Sequence, residues 1–291
     1  MVIVLSHPLF TPVNRIGFGI VFKAMKILLL GDIVGRPGRN FLTQYLSTFL
    51  NKFPVDFVVA NGENAAGGAG ITAKTAAEIN KAGVQAITLG DHVWDQKNFN
   101  NEIDGLDYVC RPANLPSSNP GRDHLIIDFS GKKVGVFTVL GRTFMGPKVD
   151  CPFATSDRIV TELKAFCDII LCEIHAETTS EKESMGWHLD GRVAMIYGTH
   201  THVPTADGRI LRGGSAYQSD LGMTGPRQSV LGRDIEACLE RFKDGMPRKC
   251  PVAEGDVGMQ GCIIEINQDT GLANSHQLID WRESDISSER K

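Results

Sequence analysis

The chain has 291 residues, of which 42% are apolar, 22% charged and 7% aromatic. That balance excludes a disordered or fibrous protein, because chains stay unfolded when apolar residues are few and net charge is high. Thirty basic against 34 acidic side chains leave a formal charge of −4, without the basic excess of a dedicated nucleic-acid binder, so no stable nucleic-acid partner is expected. The seven cysteines are odd in number and form no CxxC pair, which fits neither a disulfide framework nor a zinc ribbon and points to the reducing cytoplasm.

Residues 1–24 carry two prolines and no helical or alternating pattern, and Arg15 interrupts them. They lack the basic start and small-residue cleavage site of a signal peptide. No window offers the roughly 20 uncharged apolar residues of a membrane helix, so no membrane partner is expected. The stretch reads as a misassigned start or a flexible extension, with Met25 as the functional start and residues 25–291 as one domain.

From Met25 onward, short apolar runs alternate with helical patterns, the signature of βα units around a largely parallel sheet. The run Lys26 to Leu30 precedes a helix over Arg39 to Lys52, where Phe41, Leu42, Tyr45, Leu46, Phe49 and Leu50 share one face. Next come the run Val55 to Ala60, a glycine-rich turn, a helix from Thr72 to Ala82 capped by Gly83, and the run Gln85 to Leu89. His124 to Phe129 and Lys133 to Leu140 flank Ser130-Gly131, a hairpin signal, so an antiparallel element joins the sheets. A helix near Ser156 to Phe166 with a Ser or Asp cap, strands at Asp168 to Ile174 and Val193 to Tyr197, a helix over Arg233 to Lys243 and two C-terminal strands complete the pattern. Gly222 to Pro226 and the helix after it read as a lid or a subunit contact, so a homo-oligomer is compatible with the sequence.

Five apolar runs end in polar groups of metal-ligand type: Asp32 after LLLG, Glu63 and Asn64 after VVANG, Asp91 and His92 after ITLG, His175 in IILCEIH, and His200 and His202 in MIYGTHTH. Ligand sites of open α/β sheets lie outside the carboxyl ends of the strands, so these residues would converge. Singly, each has a plainer reading: an Asp after Gly is usually a turn or cap residue, and a buried His such as His175 is more often a satisfied core group. Together the plain reading needs five coincidences at equivalent positions. Two residues apart in an extended segment, His200 and His202 face the same side and suit one metal centre. The donors are too many for one zinc ion with its three or four ligands, whereas two cations sharing a bridging carboxylate fit the count and suit phosphoryl transfer. Nitrogen and oxygen donors without thiolate favour manganese, iron or zinc over magnesium or calcium. Cys172 reads as core.

These segments, GDIVG, NGEN, LGDHVWD, EIHAE and YGTHTH, resemble the signature of the calcineurin-like metallophosphoesterases. The strings GDIVGRPGR, NGENAAGG, RPANLP, HAETTSEK, GTHTHVPTAD and DLGMTGP are similar to one bacterial branch, dinuclear phosphodiesterases acting on 2′,3′-cyclic nucleotides. The resemblance spans residues 25–291 and implies an α/β fold, an α/β/β/α sandwich of two mixed sheets flanked by helices. It implies two metal ions, iron or manganese foremost and zinc as an option: Asp32, Glu63, Asn64 and His202 around one, and Asp91, His175, His200 and the bridging Glu63 around the other. His92 would be the general acid that protonates the leaving ribose oxygen after attack by metal-bound hydroxide. The substrate would be a small phosphoester such as a cyclic nucleotide, with Arg36, Arg39, Arg111 and Asn114 as candidate contacts and Thr178 to Lys182 shaping the pocket or capping a helix. A phosphomonoesterase or nucleotidase on the same site is the main alternative, and an RNA- or protein-binding regulator with a vestigial site is another.

Val34 stands where the wider superfamily has His, and Asn64 would supply the missing donor. Asp91 stands where the family pattern has Asn, adding a negative charge to the site. Asp91→Asn is therefore expected to bind metal more weakly, while raising the electrophilicity of the centre. Metal titration alongside turnover measurement checks this, and unchanged affinity and turnover would refute it.

Overall fold

The computed structural model describes residues 24–288, with side chains as far as residue 286. The leader expected over residues 1–24 lies outside them except for Ala24, which opens the first strand. The elements are β1 (Ala24–Ile33), α1 (Gly35–Lys52), β2 (Phe57–Asn61), α2 (Ala73–Ala82), β3 (Ala86–Thr88), α3 (Phe99–Glu102), β4 (Val109–Cys110), β5 (Leu125–Phe129) and β6 (Lys132–Leu140). There follow α4 (Pro152–Lys164), β7 (Ile169–His175), α5 (Thr179–Leu189), β8 (Met195–Thr199), β9 (Arg209–Ile210), β10 (Ala216–Gln218), β11 (Met223–Pro226), α6 (Ile235–Asp244), β12 (Val257–Asn267), β13 (Ala273–Arg282) and α7 (Glu283–Ser288).

The strands form two mixed sheets. One runs β13-β12-β11-β1-β2-β3-β4, with β12 also pairing β1; the other runs β5-β6-β7-β8-β10-β9. Alternation along β1 decides the layering, since successive side chains point to opposite faces. Leu28 and Leu30 join Phe41, Leu42, Leu46 and Phe49 of α1 and Ile79 of α2 on the outer face. Ile27 and Leu29 instead meet Val134, Val136, Leu171, Met195 and Tyr197 of the second sheet. That sheet's far face, with Phe137, Val139, Ile170, Cys172 and Ile174, is covered by Ile159 and Leu163 of α4 and Met185 and Leu189 of α5. The result is an α/β/β/α sandwich of two mixed sheets flanked by helices, and Cys172 lies in its core.

Local chemistry accounts for most boundaries. Gly83 caps α2 in the left-handed region at φ 118°, where a side chain would be strained. Ser130 and Gly131 both take positive φ, 51° and 78°, as the two-residue turn between antiparallel strands requires. The helix expected from Ser156 begins four residues earlier: Pro152 sits in its first turn and Cys151 caps it without a side-chain hydrogen bond, because proline's fixed φ already suits a helix start. Neither Ser nor Asp caps it; Ser156 is buried within the helix. Helix α5 has no clean apolar face to reveal it, its buried positions being Lys182, Met185, Gly186 and Leu189.

Gly222 to Pro226, expected to belong to a lid or a subunit contact, is instead part of the core. It leads into β11, buried throughout and inserted in the first sheet, parallel to β1 and antiparallel to β12. The insertion depends on Gly31: a Cβ there would overlap the Gly222 carbonyl oxygen, which accepts the Asp32 N–H at 3.1 Å. Gly31→Ala is expected to force β1 and β11 apart and to cost about 1–3 kcal/mol, the usual range for overpacking. A denaturant midpoint unmoved from wild type would contradict this.

Candidate metal centre

The carboxyl ends of strands from both sheets meet along one edge. Asp32 ends β1, Glu63 and Asn64 follow β2, Asp91 and His92 follow β3, His175 ends β7, and His200 to His202 follow β8. Glu63, Asp91, His175 and His200 each present a ligand atom within 4.8 Å of the other three. The closest separations are 2.9 Å from His175 Nε2 to Asp91 Oδ1, 3.1 Å from His175 Nε2 to His200 Nδ1 and 3.3 Å from His175 Nε2 to Glu63 Oε1. Ligand atoms about 2.0–2.2 Å from a common cation stand roughly 3 Å apart, so these side chains are spaced to share one. Gly90 leaves the room for it, because a Cβ there would overlap Glu63 Oε2 and His175 Nε2.

Electrostatics also suit a cation. Asp32 is fully buried and its Oδ1 has no hydrogen-bond partner. Burial, reinforced by Glu63 and Asp220 against the pull of His175, pushes its carboxyl up to about 8, so an added positive charge would favour the ionised form. Burial works against a charged His175, yet Glu63, Asp91 and Glu173 hold its pKa well above the ordinary value. Burial would raise Asp91 too, but hydrogen bonds from His175 and His200 keep it low.

A layer beneath sets which nitrogen of His175 faces the cluster. Thr199 Oγ1 donates to Glu173 Oε1 at 2.5 Å, and Asn61 Nδ2 donates to the same oxygen at 2.6 Å. With its proton committed, the Thr199 hydroxyl accepts from His175 Nδ1 at 2.8 Å, so Nε2 is the nitrogen turned to the cluster, donating to Asp91 Oδ1 at 2.9 Å when the ring is charged and offering its lone pair to a cation when it is neutral. His202 is oriented likewise: its Nδ1 donates to the Leu231 carbonyl at 3.0 Å, and its Nε2 lies 2.9 Å from Asn64 Oδ1. Two acceptors so placed are reconciled by a cation or by rotation of the amide.

His200 and His202 both occupy the left-handed region, at φ 97° and 63°, which costs of order 1–3 kcal/mol at non-glycine residues. The segment is held by Asp220. Its Oδ2 accepts from Thr201 N at 3.1 Å, Thr201 Oγ1 at 2.8 Å and Lys182 Nζ at 2.8 Å, while its Oδ1 accepts from Gly222 N at 2.8 Å. Asp32 Oδ2 accepts from His200 N at 3.0 Å. Lys182 and Asp220 are both buried.

Glu63, Asn64, His200 and His202 open onto a cleft of about 810 Å³, which His92, Glu177, Leu231, Arg241 and Phe242 also line. His92 hydrogen-bonds Asp95 through Nδ1 at 2.7 Å, and its main-chain N–H donates to Glu63 Oε2 at 3.1 Å. The second-tier residues lie elsewhere. Arg36 lines a separate recess with Asn40 and Glu254. Arg39 pairs with Glu78 at 2.8 Å and donates to the Ala65 carbonyl. Arg111 donates to the carbonyls of Pro120 and Pro112, and Asn114 ties Leu140 to Asp150. None of the four lines the cleft, so the expectation that they contact a substrate held there is corrected: the polar groups of Arg39 and Asn114 serve the fold, and Arg111 faces a different cavity.

Asp95, Glu173, Glu177 and Asp220 carry no role in the sequence, and Lys182 only one as the end of the Thr178 to Lys182 stretch, whose pocket or capping role does not include the Asp220 pair. Glu173 had a signal, since it precedes His175 by two in a strand and must share its face. Lys182 and Asp220 had none, being joined only by the fold.

Fold and site together define a metallophosphoesterase, a phosphoester hydrolase of the calcineurin-like type. The model of the YmdB-like protein family matches residues 28–279, and the chain belongs to that family. It is 42% identical over 249 residues to the 2′,3′-cyclic-nucleotide 2′-phosphodiesterase of Bacillus subtilis (strain 168), covering 86% of this chain and 94% of the relative. A crystal structure described as a novel phosphatase from Mycoplasma pneumoniae superposes with a TM-score of 0.84 at 34% identity, covering 90% of this chain and 95% of the other. A putative 5′-nucleotidase from Staphylococcus aureus shares the fold, with a TM-score of 0.58 at 14% identity over 89% of this chain and 54% of its own.

Asp220→Asn is expected to leave the Lys182 ammonium buried without its counter-charge and to destabilise the chain by about 3–5 kcal/mol. Urea unfolding measures the loss, and a variant as stable as wild type would show that the pair does not hold the segment.

Proposed function

We propose that the chain hydrolyses cyclic nucleotides, 2′,3′-cyclic nucleotides foremost, at a centre of two cations. The observation that carries this reading is His92 beside the cluster of Glu63, Asp91, His175 and His200, opening onto one cleft. Glu63, Asp91, His175 and His200 would hold one cation, and Asp32, Asn64 and His202 with a shared Glu63 the other; iron or manganese suits the donors. When bound, the cations would supply Lewis acidity and an activated water. The near full-length similarity to the Bacillus subtilis enzyme supports the cyclic-nucleotide substrate. All seven cysteines are free, which supports a reducing cytoplasm, and no described helix is long and apolar enough to cross a membrane. Residues 25–291 would work as one unit.

In this reading His92 delivers a proton to the leaving ribose oxygen. Burial opposes its protonation, but Glu63, the hydrogen bond to Asp95 and the nearby Asp91 outweigh that and raise its pKa above the ordinary imidazole value. Bound cations would offset Glu63 and Asp91, leaving Asp95 as the group that keeps the proton available. Asp95 also fixes the role of each ring nitrogen, since Nδ1 is engaged and Nε2 is left as the donor.

His92→Ala is expected to keep its metals, by metal analysis, while kcat falls by about 10²–10⁴, the range for a lost general acid. An acid must hold its proton to work, so activity is lost as pH rises through its pKa. Asp95→Asn lowers that pKa and should move the alkaline limb of the kcat profile to lower pH. Assayed with 2′,3′-cyclic, 3′,5′-cyclic and 5′-nucleotides and added Mn²⁺, the wild-type chain should prefer the first; preference for a 5′-nucleotide would replace this proposal with a nucleotidase.

A further inference from the structure

Arg111, in the RPANLP segment, fronts a cavity that shares no lining residue with the metal cleft. The cavity holds about 420 Å³ between the 111–123 segment and the start of α4, and the guanidinium groups of Arg111, Arg122 and Arg158 line it. Arg111 is only 5% exposed. Its Nε and Nη1 donate to the Pro120 and Pro112 carbonyls at 3.1 and 3.0 Å. Among the described residues, none accepts from its Nη2 and no carboxylate lies within ion-pair reach. A guanidinium so deeply buried is ordinarily paired with an anion.

Asp123 is the acidic neighbour whose charge reaches Arg111, but it stands outside ion-pair distance and is shared. Asp123 is engaged by Arg158 at 3.1 Å and His124 at 2.8 Å, and Arg158 also pairs with Glu162. Among the described residues, exposed Arg122 donates its side chain to the Leu106 carbonyl alone, at 3.4 Å. Asp150 is the remaining carboxylate of the lining, against two guanidinium groups without an acidic partner. The start of α4 adds to the imbalance: the helix is 13 residues long, has no side-chain cap and no acidic residue in its first turn, and Thr155 near its start lines the cavity. An uncompensated helix N-terminus carries partial positive charge.

The geometry points to a second anion site in this cavity, one that takes the tetrahedral phosphate of a phosphomonoester. Guanidinium forks match phosphate oxygens two at a time. The volume exceeds what a phosphate alone fills, and Ala113 and Leu115 offer an aliphatic wall to the esterified group. Free phosphate presents the same oxygens.

Calorimetric titration of the metal-loaded full chain with inorganic phosphate, and separately with a nucleoside 3′-monophosphate, tests the site. Wild type should show one binding event at the metal centre and a second, independent one. Arg122→Gln, an exposed change that spares the fold, should weaken the second event about tenfold or more while leaving metal content and turnover at wild-type values. Tighter binding of the nucleotide than of phosphate identifies the ester as the occupant, and the reverse order identifies the free anion. A single binding event in wild type, or two events unaltered in Arg122→Gln and also in Arg158→Gln, would overturn the proposal.

Discussion

Three acidic side chains, Asp32, Glu63 and Asp91, converge where the ends of two sheets meet, and two of them are almost wholly removed from water. Buried like charges repel in a medium that screens them poorly, which helps push the Asp32 carboxyl up to about 8, and all three ionise together only if positive charge is brought to the same place. Within the chain the surrounding carboxylates favour that charge on His175, whose pKa they raise well above the ordinary imidazole value. The spacing of the nitrogen and oxygen donors offers a cation the same position. Stability and activity thus draw on one electrostatic requirement.

The layers behind the donors follow from it. Glu173 collects the proton of Thr199 and an amide proton of Asn61, and so fixes the tautomer of His175 from below. Lys182 carries a positive charge to the underside of the His200–His202 segment, where Asp220 converts it into hydrogen bonds to the backbone between the two strained histidines. Neither pair faces the cleft. Both act through the geometry of groups that do.

Much of this was legible in the sequence. Apolar runs ending in Asp, Glu or His announced both strands and site, because a strand buried on both faces reads as an unbroken apolar stretch and its carboxyl end is where α/β folds place ligands. Helix α1 and the Ser130-Gly131 hairpin were equally open to reading. Other elements were not: β11 is four residues long and reads MTGP, a segment whose glycine and proline suggest a turn until Gly31 is seen to admit it beside β1. Helix α5 hid because a buried lysine occupies its inner face. Arg39 misled for a related reason, since an arginine just after a strand that ends in a candidate metal ligand reads as a substrate contact, while the Glu78 carboxylate and Ala65 carbonyl that claim its guanidinium are invisible before folding.

The insertion of β11 and β12 beside β1 has a consequence for how the chain is made. Every proposed metal donor has been synthesised by residue 202, yet β1, which positions Asp32, lacks its neighbours on one side until Met223 to Asn267 emerge. Pairing across so long an interval comes late, because loop closure must precede the contacts that stabilise it. During translation the ribosome therefore presents a full set of donors before the scaffold that aligns them is complete. Tight capture of a cation would mark the end of synthesis, and chains cut short after residue 202 would carry every ligand without a finished sheet to hold the first.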